Sequence, residues 1–236
     1  MCRNTAKESI AELIYTKIKG HNGCTKCYHW RSFDEIVLPE TCTDVSKNIL
    51  RDVCLMKGSE AEQVVEFRKL VSEHWRNYPN DREELRDLVV QIWGGMPGQR
   101  IKQVNLLSLD LEKQLLERCG KSSLVAATSK LLAAIDPSNY FVFDSRISVY
   151  LNKLIDEKCE RDFGFGFQLV PGRSRYYTKY KNEHLSRNDL FDYQDYCSIL
   201  KRVRDKAKAP GEPLSNFDFS NERIQLLELC LYMQAH

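Results

Sequence analysis

No stretch of the 236-residue chain stays apolar long enough to span a bilayer. The opening residues, MCRNTAKESIAEL, lack the apolar region of a secretory signal, so an intracellular setting, cytoplasm or nucleus, is expected. An excess of one charge is missing too. Against 35 Lys and Arg stand 33 Asp and Glu, a net +2, so any surface for an acidic partner has to be local. There are no internal repeats and no low-complexity tract of consequence. Strand-like alternation is nearly absent. Cysteine is plentiful, at 9, but paired spacing is not. An odd, scattered set in an intracellular chain reads as reduced thiols.

One Cys-x-x-Cys occurs, Cys24 and Cys27, with His21 and His29 around it and Cys42 beyond. Soft ligands lie close together there, which is what a metal asks for. A second Cys pair and the spaced His pair of a zinc finger are both missing. The expectation is therefore a polar loop with buried thiols and no metal. The setting also lacks the strand-helix-strand pattern of a redox motif and the four-Cys spacing of an iron–sulfur loop. No cofactor is expected.

What the chain does have is helical periodicity. Residues 5–19 place Ile10, Leu13, Ile14 and Ile18 on one face. Helices follow over 44–56 and 59–77, the second opened by Ser59 with Glu62 as a capping box. His74 falls beside its apolar stripe as a partly buried helix residue. Further helices are expected over 81–93, 109–119, 190–207 and 219–234, and Gly94–Gly98 breaks the chain between subdomains. Basic residues Lys201, Arg202, Arg204, Lys206 and Lys208 crowd the end of the 190–207 helix, where cations suit its dipole. The expected fold is all-α: one globular unit over 1–236, of two lobes around a central cleft. The lobes run over 1–95, with 219–234 packing back, and over 96–209.

The organising stretch is Ser122 to Leu151, SSLVAATSKLLAAIDPSNYFVFDSRISVYL. Leu124 to Ile135 is apolar on nearly every side, the mark of a core helix. Asp136-Pro137 stops it, since a proline disfavours helix at the residue before it. Tyr140 to Phe143 then reads as an extended link. Asp144 follows at an N-cap position, with Ile147, Tyr150, Leu151, Leu154 and Ile155 at helical spacing beyond it. This segment, FVFDSRISVYL above all, resembles the helix-hairpin-helix base-excision DNA glycosylases, the HhH-GPD superfamily. The resemblance covers residues 122–151. It implies a two-lobed helical fold, cleavage of the N-glycosidic bond of a damaged or modified base, and Asp144 as the catalytic carboxylate. The family's hairpin, L-x-x-L-P-G-V-G, is degenerate here. Residues 115–122 read LLERCGKS, with Gly120 as the one glycine. The position of the lysine nucleophile of bifunctional members falls on Leu124. Lys130, farther along, is the only charge between Ser122 and Ile135. It is a candidate amine nucleophile or half of a buried ion pair with Asp144, and its displacement favours the pair.

From Arg173 to Arg187, the basic residues Arg173, Arg175, Lys179, Lys181 and Arg187 interleave with Tyr176, Tyr177 and Tyr180, and with Glu183 as the one acid the local charge is +4. Cations neutralise phosphates and tyrosines stack on bases, so DNA is the expected partner. Two alternatives stay open. One is a DNA-binding protein that keeps the scaffold without cleaving. The other is a protein-interaction module whose surface is the Cys24–His29 loop.

Overall fold

The computed structural model describes residues 1–20, 33–40, 42–96, 101, 104–120, 124–159, 163–171, 177–178, 180 and 189–212. The described chain is mostly helical. Helix α1 spans Arg3–Gly20 and buries Ile10, Ile14 and Ile18 of the stripe expected from the sequence, together with Ala6, while Leu13 is part-buried. α2 spans Asp44–Leu55 and α3 Glu60–Asn77, the latter with the Ser59–Glu62 capping box in place. In α3, His74 is part-buried as expected and bonds Asp81 at 2.8 Å. α4 spans Arg82–Asp87 and widens into a π turn over Leu88–Trp93, where a single α-helix was expected. Its Glu84 reaches back to α2 and accepts the Ser46 amide at 3.1 Å, satisfying an N-terminal N–H that α2 cannot pair internally.

α5 (Leu111–Cys119) and α6 (Val125–Ile135) pack on each other. α6 also packs on α3 and on the π turn, and every residue from Val125 to Ala134 is buried. A helix apolar on all sides has to be surrounded, and this one is. α7 spans Ser145–Lys158. Two short strands follow, β1 (Phe165–Phe167) and β2 (Asp189–Phe191), paired in parallel with Phe165 opposite Asp189 and Phe167 opposite Phe191. The last described helix, α8, spans Tyr193–Ala207. Residues 190–191, expected to open that helix, belong to β2 instead. Asp192 is the true cap, in a box with Asp195.

The two ends of the described chain meet. Arg3 pairs with Asp195, Glu8 with Arg202 and Glu12 with Lys206. The partners climb together along both helices, so α1 and α8 lie parallel. Arg202 and Lys206, part of the basic run expected at the end of α8, therefore face α1. Buried side chains on both sides of residue 95 form one cluster. Residues 219–234, expected to pack back on the first lobe, lie outside the described residues, as does the Cys24–His29 loop. Among the described residues no helix is long and apolar enough to cross a membrane.

Candidate functional site

Asp144 heads α7 with an extended backbone (φ −117°, ψ −175°), as an N-cap requires. Its Oδ1 accepts the Arg146 amide at 2.9 Å and the Ile147 amide at 3.2 Å. Oδ2 takes no partner among the described residues. The side chain is largely sequestered, the residue being 8% exposed. A carboxylate held this way has one oxygen fixed by the helix N-terminus.

The segment that delivers Asp144 is an isolated extended run, Phe141 to Phe143, whose peptide groups need partners. Side chains supply them. Ser129 Oγ on α6 accepts the Phe143 amide at 3.0 Å, and Tyr193 on α8 donates its hydroxyl to the Phe141 carbonyl at 2.9 Å. Beneath lies an aromatic cluster. The Phe143 ring is 4.7 Å from that of Tyr196 and 6.1 Å from that of Phe167, and Phe167 is 5.5 Å from Phe191.

One face of α7 carries Asp144, Ser148 and Asn152 at four-residue spacing, one above the next. Asn152 imitates a strand edge: its Nδ2 donates to the Phe167 carbonyl and its Oδ1 accepts the Phe167 amide, each at 2.9 Å. Ser148 Oγ accepts the Val170 amide at 3.2 Å. The chain thus arrives at Val170 one helical turn from Asp144, just ahead of the basic, tyrosine-rich stretch. Sequence reading missed Ser129, Ser148 and Asn152. Their only signal is a polar residue inside an apolar stripe.

Lys130 is 4% exposed, and its ammonium donates to the Gly94 carbonyl at 3.2 Å. Gly94 ends the π turn, its amide bonded to the Val89 carbonyl at 2.9 Å. The ion pair expected between Lys130 and Asp144 is not formed among the described residues. The two charges take separate backbone partners. The reason is angular: successive helix positions turn by about 100°, and it is Ser129 that faces the Asp144 segment. A second buried cation, Arg68 of α3, lies over the Trp93 ring of the same π turn at 5.6 Å.

Of the basic stretch, Arg173, Arg175, Tyr176, Lys179, Lys181 and Arg187 lie outside the described residues. Tyr177 is part-buried and helical. Tyr180 is buried, its hydroxyl donating to Asp156 at 2.6 Å, so its ring is core and not available for base stacking. A surface cavity of about 390 Å³ opens beside Lys69, Ser72, Arg76 and Asp136, and another of about 360 Å³ beside Asp110, Glu112, Glu117 and Gln194. Neither is walled by Asp144 or Lys130. Among the described residues no group of three or more His, Cys, Asp or Glu side chains converges to hold a metal. His21, Cys24, Cys27 and His29 lie outside those residues. Set against known proteins, the chain matches no family model, no curated protein and no solved structure.

Proposed function

We propose that the chain is a base-excision glycosylase of the helix-hairpin-helix kind, two-lobed, cleaving the N-glycosidic bond of a damaged or modified base in DNA. The observation that carries the reading is Asp144. It is a sequestered carboxylate with Oδ1 clamped to the first amides of α7 and Oδ2 without a partner among the described residues. Such a group stabilises positive charge developing on the sugar or activates the attacking water, once the base is flipped from the stack. The Val170 amide, held by Ser148 one helical turn from Asp144, is followed in sequence by the basic, tyrosine-rich stretch, which supports DNA as the partner. Lys130 spends its ammonium on the Gly94 carbonyl, which supports water over an amine as the nucleophile.

The test is a panel of duplex oligonucleotides carrying varied damaged or modified bases. Base release should leave abasic sites that break only after alkali. Strand breakage without alkali would mean an amine nucleophile. A second reading, a DNA-binding protein that does not cleave, draws on the hairpin segment with its single glycine, Gly120. Tight binding with no base released anywhere in the panel would establish that reading and remove the enzyme.

A further inference from the structure

Inside the apolar α6 sit three consecutive polar residues, Thr128, Ser129 and Lys130, all buried. Burying a polar group is costly unless it is hydrogen-bonded. Thr128 Oγ1 has no hydrogen-bond partner among the described residues. Its two neighbours are used differently, because each reaches out of α6 to the backbone of another segment.

Ser129 Oγ accepts the Phe143 amide at 3.0 Å. Its hydroxyl has two acceptors within reach, the Phe143 and Ala126 carbonyls, each 3.3 Å from Oγ. Lys130 donates to the Gly94 carbonyl at 3.2 Å. Both targets are places where regular structure stops. Phe143 is the last residue of the extended link and Gly94 is the cap of the π turn. The side chains leave α6 about 100° apart, so one rigid helix fixes two irregular segments at once.

We infer that Ser129 and Lys130 form a twin anchor, and that Ser129 is the positioning residue that sets where the Asp144 carboxylate sits. Phe143 is one peptide from Asp144. Holding its amide fixes the backbone from which Oδ1 reaches the Arg146 and Ile147 amides. Lys130 does the same for the Gly94 turn. It acts on backbone rather than on substrate. As it bears on activity, this inference rests on the glycosylase reading. As it bears on geometry, it stands apart from it.

Amide hydrogen exchange on the full chain separates the two. The variants are Ser129→Ala, the near-isosteric Ser129→Cys with its weaker hydrogen bonds, Lys130→Met, and Thr128→Ala as control. Both Ser129 changes should raise exchange at Arg146 and Ile147 about tenfold or more, with Ile199 and Val203 of α8 unchanged. Lys130→Met should do so at Gly94 and Met96, and Thr128→Ala at neither place. Wild-type protection at Arg146 and Ile147 in both Ser129 variants would overturn the anchor, as would a uniform rise across the molecule. In base release, Ser129→Ala should lower turnover of bound oligonucleotide about tenfold with its Kd unchanged. A merely structural role would move the melting temperature and leave turnover of the folded fraction alone. If the wild type releases no base, the glycosylase reading fails and the exchange data still decide the anchor.

Discussion

Gly94 is where a single added carbon matters most. Its φ of −75° is ordinary, so the constraint is room and not backbone strain. A Cβ there would lie 2.8 Å from both the Val89 and Val90 carbonyl oxygens and 3.1 Å from Lys130 Cδ. Backbone oxygens cannot swing aside as a side-chain tip can. Gly94→Ala should therefore destabilise the protein by about 2 kcal/mol, in the range of overpacked cores. The urea midpoint should fall at constant slope. Asp144 makes the opposite case, since its role as a cap and the catalytic role proposed for it can be pulled apart. Asparagine caps a helix about as well as aspartate, so Asp144→Asn should cost less than about 0.5 kcal/mol. It carries no charge, so base release should fall about a hundredfold or more, the usual weight of a general acid or base. Asp144→Ala loses the cap as well and should cost about 1 kcal/mol. A melting curve and a single-turnover assay on the same preparations check all three. Unchanged base release in Asp144→Asn removes the carboxylate from the mechanism.

The elements show which physics a sequence carries on its face. The Ser59–Glu62 box, the apolar ring of α6 and the Asp144 cap are local, built from residues within a few positions of one another, and all were legible. The π turn was not. Leu85, Leu88, Val89 and Ile92 repeat as an α-helix would, while the widening is closed by the Gly94 backbone and by Lys130, which lies far along the chain. The start of α8 was misplaced because Leu190 continues its apolar pattern, yet that residue pairs opposite Gly166 in the sheet. Asp192 and Asp195, spaced as a capping box, were the overlooked sign. The expected Lys130–Asp144 pair failed for a similar reason, since only the rotation of α6 decides which of two adjacent residues faces the link. A double mutant tests this directly. Lys130→Met leaves the Gly94 carbonyl without its lysine donor and should cost about 1–3 kcal/mol. Were the two charges paired, it would rescue Asp144→Asn. With separate partners the two changes should add to within about 0.5 kcal/mol, measured by urea denaturation.

At the scale of the whole molecule, a net charge of +2 is small, so the DNA binding proposed above would rest on a local patch. Replacing Arg173, Arg175, Lys179 and Lys181 by alanine should weaken binding. It should also flatten the log–log salt dependence by about 3 to 4, one counterion for each lost phosphate contact. An unchanged slope takes the stretch out of the interface. The closure of the chain on itself is governed by charge of another kind. Parallel α1 and α8 are joined by pairs of unequal worth. Glu8–Arg202 and Glu12–Lys206 are exposed enough to contribute at most about 1 kcal/mol each. Asp195 is different, being 8% exposed, bonded by Arg3 and Lys7, and cross-bonded with Asp192 in the cap of α8. Burial alone would raise its carboxyl pKa, but the hydrogen bonds from Lys7 and Arg3 outweigh burial and hold it below the usual aspartate value. A group depressed in the folded state contributes its stability above the unfolded pKa, about 3.9 for aspartate, and loses it as pH falls through the folded value. Asp195→Asn should therefore cost about 2 kcal/mol at pH 7, where charged hydrogen bonds are lost. It should cost progressively less below about pH 4, where the wild type is itself protonating. Urea midpoints at pH 7, 4 and 2.5 should show the two proteins converging on acidification. Parallel curves over that range would mean that Asp195 does not hold α1 to α8 through its charge.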